Sequence, residues 1–130
     1  MTQWKFSCER RADIPLPPAY TFPQAFNYLN PVSNSIYILE HENGNYIQCG
    51  GGKKACTVEI RIYGPDRSYK HYAVGRRNGS SAPATVQMSG GVVNVEEREL
   101  LNHWHAIELF KCFFSGDEIP SDYVLRERNV

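Results

Sequence analysis

The residues of this chain best suited to acid–base chemistry are His71, Glu59 and Arg61, which occur in two neighbouring segments of alternating polar and apolar residues. If these segments form adjacent antiparallel strands, His71 faces Glu59 and Arg61 across the pair. A histidine oriented by a carboxylate is a common general base. The same side chains also satisfy one another as cross-strand polar pairs on a solvated sheet face, and this structural role is the interpretation we favour.

The remaining histidines and the cysteines do not form a recognisable metal-binding motif. His103 and His105 are two positions apart, so on a helix they diverge by roughly 200° and cannot bind one ion together. Cys49, Cys56 and His71 would hold a metal only if the fold brought them together by coincidence. The four cysteines include no Cys-x-x-Cys pair, and we interpret them as thiols packed like small apolar side chains. We therefore predict neither a metal nor a cofactor.

The segment Gly50-Gly51-Gly52-Lys53-Lys54 invites comparison with a phosphate-binding loop. Such a loop needs a glycine five positions before its Gly-Lys pair and a serine or threonine directly after the lysine. Ile47 and Lys54 occupy those two positions here. The segment also joins two predicted strands, so no helix N-terminus is available to receive an anion. We interpret it as a flexible hairpin loop.

Length and charge limit the classes of function. The chain has 130 residues, with 14 Lys and Arg against 14 Asp and Glu, and this length is typical of one domain. A balanced charge argues against a general nucleic-acid binder, which needs a basic excess. No apolar stretch reaches the length of a membrane span, and the N-terminus lacks the apolar region of a signal peptide. We predict a cytoplasmic protein without nucleic-acid or membrane partners, and we leave monomer and dimer both open.

Residues 35–95 carry the signals of an antiparallel sheet. Asn43-Gly44 is a strong hairpin-turn signal. Cys56 to Tyr63 alternate in the way that a half-buried strand does. Two short strands, Ala84 to Met88 and Val92 to Val95, follow a polar loop. We therefore predict a meander of about five or six strands, with one face packed and one face wet.

The strongest helix signal follows this sheet. Asn94 is a favoured N-cap residue, Glu97 completes a capping-box-like pattern, and Gly116 is a natural residue to end the helix. An apolar stripe is predicted to lie across the sheet. It consists of Leu100, Leu101, Trp104, Ile107, Phe110, Phe113 and Phe114.

These elements predict an α+β fold, with one long C-terminal helix packed on one face of the meander and a short N-terminal helix. The whole chain, 1–130, is predicted to form a single domain. Its predicted parts are an extended, proline-rich N-terminal segment at 1–20, the short helix at 21–30, the sheet at 35–95, the long helix at 95–115 and a C-terminal tail at 116–130.

Candidate binding residues are half-exposed tyrosines and acidic residues at the ends of elements. Tyr63 and Tyr72 lie on predicted strands next to charged residues, where tyrosine often anchors an interface. Local acidic clusters can steer a basic partner toward a neutral protein. The acidic candidates are Glu40 and Glu42 at the first hairpin and Asp117, Glu118 and Asp122 after the long helix.

Several segments resemble cytosolic immunity proteins of bacterial polymorphic toxin and contact-dependent inhibition systems. In the first half, they are Tyr37-Ile38-Leu39-Glu40, Glu42 to Gln48, Thr57 to Arg61 and Lys70-His71-Tyr72. In the second half, they are the helix ending in Phe113-Phe114-Ser115-Gly116 and the run from Pro120 to Arg126. The resemblance covers about half of the chain.

The resemblance implies a one-to-one inhibitor that binds a cognate toxin, such as a nuclease or a nucleic-acid deaminase. Toxins that act on nucleic acid have basic clefts, so the acidic candidates would take the place of substrate phosphates while the tyrosines pack around them. One alternative is a small enzyme that uses the His71/Glu59 acid–base pair. Another is a small-ligand-binding domain with a cavity between helix and sheet, although the bulky apolar stripe is expected to fill that space.

Overall fold

The computed structural model describes residues 4–9, 11–14 and 22–129, the second of these ranges by its backbone alone. In chain order the strands are β1 (Trp4–Cys8), β2 (Arg11–Ile14), β3 (Ile36–His41), β4 (Tyr46–Gly51), β5 (Cys56–Tyr63), β6 (Tyr69–Arg76), β7 (Pro83–Met88), β8 (Gly91–Glu96) and β9 (Tyr123–Arg128). The helices are α1 (Phe22–Phe26), a 3-10 helix (Glu97–Glu99) and α2 (His103–Ser115). The predicted α+β class is confirmed.

The described residues form an antiparallel sheet of seven strands in the order β2-β1-β3-β4-β5-β6-β9. Six of these strands have five or more residues, and β2 has four. The central strands β3 to β6 are neighbours in chain order, as the meander predicts. Val58 on β5 pairs with Cys49 and Val74 on the two adjacent strands, and all three side chains are buried. Gly44 has a φ of 97° in the turn between β3 and β4, a conformation that favours glycine.

Both edges of the sheet come from segments outside the predicted meander. β1 and β2 lie within the N-terminal segment that the sequence predicts to be extended. β9 lies in the predicted C-terminal tail and pairs with β6, from Tyr123 opposite Arg76 to Arg128 opposite His71. The prolines at 15, 17 and 18 and the first residue of the predicted helix at 21–30 fall outside the described residues.

The hairpin of β7 and β8 is present, but it is a separate two-stranded sheet and does not continue the meander. Glycines at the end of β4 explain where it lies. A Cβ atom on Gly50 would be 2.8 Å from the Met88 side chain, and one on Gly51 would be 2.8 Å from Val86. Because Gly50 and Gly51 have no side chains, the hairpin can pack on the face of the main sheet.

The long helix begins later than predicted. Asn94 pairs with Thr85 within the hairpin, so its backbone is extended and it cannot cap a helix. The actual cap of α2 is Asn102, whose side chain accepts hydrogen bonds from the N–H groups of Trp104 at 2.9 Å and His105 at 3.1 Å. The predicted end is correct, since Gly116 adopts the left-handed conformation after the last helical turn.

Aromatic side chains fill the space between the helices and the sheet. The short helix α1 spans five residues, fewer than the predicted 21–30. Its Phe22 and Phe26 pack against Phe110 of α2, with ring centroids 6.3 Å and 4.9 Å apart. The Tyr37 hydroxyl donates to the Ala25 carbonyl at 2.6 Å and joins α1 to β3. These rings pack in the region where the small-ligand alternative places its cavity.

Candidate binding surfaces

The sheet face opposite α1 and α2, which we call the polar face, carries a charged network around His71. The Nε2 atom of His71 lies 2.6 Å from the Oε1 atom of Glu59. Arg61 donates through Nε to His71 Nδ1 at 3.2 Å. Because a guanidinium can only donate, Nδ1 carries no proton and the Nε2–H of His71 donates to Glu59. Arg128 of β9 donates to the other oxygen of Glu59.

This network suits a structural role better than a catalytic one. His71 is only 4% exposed, and both of its ring nitrogens are held by neighbouring side chains. A general base needs a nitrogen within reach of a substrate proton. The sequence correctly places Glu59, Arg61 and His71 together, and the structure adds Arg128 from a strand that the sequence did not indicate.

Glu99 belongs to a second charged cluster, which lies beneath the hairpin. Its side chain is fully buried, accepts two hydrogen bonds of 2.8 Å from Arg126, and accepts the Glu96 N–H at 2.9 Å. Burial alone would raise the pKa of Glu99, but the Arg126 and Glu96 hydrogen bonds outweigh it and hold the pKa below its ordinary value. The 3-10 helix and β9 are thereby joined by an ion pair whose carboxylate is buried and whose Arg126 side chain is 38% exposed.

The two candidate tyrosines point to opposite faces of the sheet. Tyr63 pairs with Tyr69, whereas Tyr72 pairs with Ile60 of the core. Both nevertheless line an open depression of about 240 Å³ at the turn between β5 and β6. On the polar face, the Arg61 guanidinium lies 3.9 Å from the centre of the Tyr69 ring. A Cβ atom on Gly44 would lie 3.1 Å from the Tyr63 ring, so this tyrosine packs against the turn that carries Glu42.

The five candidate acidic residues are all exposed, and the fold brings four of them to one end of the molecule. The link between the two pairs is Trp4, whose ring lies 4.8 Å from His41 on β3 and 5.9 Å and 5.2 Å from Phe113 and Phe114 on α2. The acidic end is defined as Glu40, Glu42, Asp117 and Glu118.

The surroundings of the acidic end include an open depression of about 280 Å³, lined by Trp4, Lys5, Glu40, His41 and Glu42. The fifth candidate, Asp122, lies elsewhere. It directly precedes β9, its carbonyl accepts the Arg77 N–H at 2.8 Å, and β9 begins at the opposite end of the sheet. Asp122 is therefore separated from the acidic end by the length of the sheet.

A second surface was missed because the sequence places Trp104 on the buried stripe of the long helix. In the structure, Trp104 is 61% exposed. The buried residues of α2 are Ala106, Ile107, Leu109 and Phe110. The sequence does indicate that Trp104 is exposed. At 100° per residue, Trp104 falls on the same helical face as the polar residues Glu108, Lys111 and Ser115.

On the side of the β4–β5 loop, the neighbours of Trp104 are aromatic and basic, whereas Glu108, one helical turn away, accepts a hydrogen bond from Tyr123. Its ring stacks against His103 with centroids 4.6 Å apart. His103 donates its N–H to the Lys53 carbonyl at 2.8 Å, and the Lys53 ammonium donates to Asn27 at 2.7 Å, directly beside Tyr28. Tyr28 is 72% exposed. The Trp104 surface is defined as Tyr28, Lys53, Lys54, His103 and Trp104.

Two kinds of feature are not found in the described part of the chain. No helix there has both the length and the apolar character needed to cross a bilayer. Within the same residues, no three His, Cys, Asp or Glu side chains are grouped in a way that would hold a metal ion.

Comparison with known proteins does not assign this chain to a family. No family model matches it, and neither a curated protein nor a solved structure does. Its function is therefore inferred from the chemistry of the two exposed surfaces and of the polar face.

Proposed function

We propose that this chain is an immunity protein that binds a cognate bacterial toxin in the cytoplasm and neutralises it by one-to-one association, without catalysing a reaction. The segments that resemble such immunity proteins suggest this class. The proposed toxin is a nuclease or a nucleic-acid deaminase, because an enzyme that binds nucleic acid presents a basic cleft.

The observation that carries the proposal is the acidic end. Glu40 and Glu42 come from the β3–β4 hairpin, and Asp117 and Glu118 come from the segment after α2. The Trp4 ring contacts both elements, so the two pairs are presented from one rigid scaffold. Preorganised carboxylates of one sign favour fast association with a basic partner and correct orientation on it. Tyr63 packs beside this end and supplies an aromatic contact at its border.

The His71 network supports the same class of function. An enzyme that uses His71 with Glu59 requires Arg61 to release Nδ1 and the cluster to open to solvent. In the observed arrangement the charges of Glu59 and Arg128 satisfy each other next to His71. Such a network fixes the positions of the strands that carry the surface, as buried polar networks do.

The experiment measures binding of the toxin encoded beside this chain to variants in which the acidic end is reversed. The variants are E40K/E42K, D117K/E118K and the combination of all four. Each pair is expected to weaken binding by about tenfold or more, mainly through slower association, and the combined variant by more. Added salt should weaken binding of the unmodified protein more than binding of the combined variant.

A matched control keeps the change in net charge but moves it away from the acidic end. The double variant E97K/D122K alters two exposed carboxylates elsewhere and is expected to bind nearly as the unmodified protein does. Equal affinity for the unmodified protein and the combined variant would contradict the proposal. So would an equal loss in the control.

A further inference from the structure

We propose that the Trp104 surface is a second binding site, which takes an acidic segment of a protein partner that carries one or more apolar side chains. This site goes beyond the proposed function and does not depend on it. The two surfaces lie at opposite ends of α2, which begins beside Lys53 and ends beside Trp4. Thirteen helical residues separate them by about 20 Å.

Exposure of large apolar side chains is the first reason for the proposal. Single exposed apolar residues are ordinary on a protein surface. Here Trp104, Tyr28 and Val32 are 61%, 72% and 78% exposed, and they belong to segments joined through Lys53 and its hydrogen bonds. Tryptophan and tyrosine are the side chains that most often dominate the energy of an interface.

Charge gives the second reason and selects the partner. Lys53 and Lys54 lie between the segments that carry Tyr28 and Trp104. The adjoining depression, of about 360 Å³, is lined by both lysines and by Leu29, Asn30, Pro31, Gly52, Ala55 and Gln87, none of which is acidic. An acidic segment is the complement of such a surface.

The positive charge of this surface comes from the lysines and does not depend on the start of the helix. The first N–H groups of α2 are already satisfied: His103 donates to Lys53, and Trp104 and His105 donate to the Asn102 side chain. A free anion therefore finds no vacant N–H cradle at the helix start. Recognition requires a ligand long enough to contact the lysines and the aromatic rings together.

A second copy of this chain is the less suitable occupant, even though its acidic end also carries carboxylates. Contact between the acidic end of one copy and the Trp104 surface of the next would be head-to-tail. Such a contact builds rings or open filaments of many copies, because each copy leaves a further acidic end and a further Trp104 surface to be filled. A short acidic segment of another protein fills the surface once and leaves the acidic end available.

The test is a selection from a display library of random 16-residue peptides against the immobilised full chain. We expect enrichment of peptides that combine Asp or Glu with Leu, Phe or Trp. A second bait, K53E/K54E/W104A, should lose this enrichment, and an enriched peptide should bind that variant at least about 30-fold more weakly. These positions are exposed or half-buried, and circular dichroism would verify that the variant bait is folded.

A third bait separates this inference from the proposed function. E40K/E42K alters only the acidic end and should select the same peptides as the unmodified chain. The inference is overturned if the enriched peptides have no acidic bias, or if they bind the triple variant equally well. Vesicles of phosphatidylserine and phosphatidylcholine and sedimentation of the chain alone are run in parallel. Binding to the vesicles, or self-association that is lost in the triple variant, would likewise overturn it.

Discussion

Glu99 and Glu59 both lie on the polar face of the sheet, and each is paired with an arginine of β9, yet their surroundings differ. Glu99 belongs to the 3-10 helix and lies beneath the hairpin, and its carboxylate oxygens accept hydrogen bonds from Arg126 and a backbone N–H. Glu59 lies on β5, where its side chain is 11% exposed and contacts Arg128 and His71. The same Glu–Arg pair therefore joins the 3-10 helix to the sheet in one place and joins two strands of the sheet in the other.

The cost of removing each carboxylate should differ accordingly. Glu99 is fully buried and accepts three hydrogen bonds, and the loss of hydrogen bonds to a charged group costs a few kcal/mol. We expect Glu99→Ala to lower the free energy of unfolding by about 3 kcal/mol, because the Glu96 N–H loses its acceptor and Arg126 keeps only the Glu96 carboxylate. Urea denaturation measures the change. A midpoint equal to that of the unmodified protein would show that the hairpin is held by its apolar contacts alone.

Glu59→Ala should be less costly, at about 1–2 kcal/mol, because Arg128 is 25% exposed and can turn toward water, so that only the His71 N–H loses its acceptor in the interior. The same denaturation series gives the comparison directly. A loss at Glu59 that equals or exceeds the loss at Glu99 would reverse the assignment of the two clusters. In that case, the His71 network would be the main tie between β5 and β9.

Lowering the pH should reveal how much the Glu99 carboxylate contributes to the free energy of unfolding. The folded-state pKa of Glu99 is held below its ordinary value of 4.5, chiefly by Arg126 acting against burial. A lowered pKa means that this carboxylate stabilises the fold fully above that ordinary value, and the contribution is lost as the pH falls through the folded-state pKa. Denaturation at several pH values should therefore show a steeper fall below 4.5 in the unmodified protein than in Glu99→Gln. Parallel curves would contradict this.

His105 is expected to show the smallest effect, because its partners oppose its charged form. Its Nδ1 accepts the Asn102 N–H at 3.1 Å, and Arg76 lies 2.9 Å from Nε2. Burial and the Arg76 charge lower the pKa of His105 below 6.5. Stability from neutral His105 is present above that value and decreases as the pH falls through the folded-state pKa. His105→Gln should remove the part of the pH dependence that lies below pH 6.5 and comes from His105, while the fall in stability due to Glu99 stays unchanged.

The sheet was predictable where the pattern is local. The alternation of Cys56 to Tyr63 is regular enough to identify β5 and to place Glu59 near His71. β9 was missed because a short alternating segment after a helix and a proline does not reveal which strand it joins. The hairpin of β7 and β8 was found, but its departure from the main sheet depends on the absence of side chains at Gly50 and Gly51, a tertiary effect.

The helix start and the binding surfaces show the same limit. Asn94 and Asn102 both have the residue type of a cap, and only pairing of Asn94 with Thr85 excludes the first. The acidic residues could be named from the sequence, but the grouping of four of them at one end of the molecule depends on the tertiary contacts of Trp4. Trp104 was misplaced because the helical face was assigned from apolar residues alone, without weighing the polar residues that share its side.

The position of β9 affects how the protein is made. On the ribosome, β6 emerges well before β9, and at translation rates of roughly 5–20 residues per second the delay is about 2–10 s. During this interval β6 presents an unpaired edge, which is a template for pairing with other chains. The nascent protein is therefore prone to aggregate through this edge until β9 emerges, and covering the edge during that interval is a task suited to a chaperone.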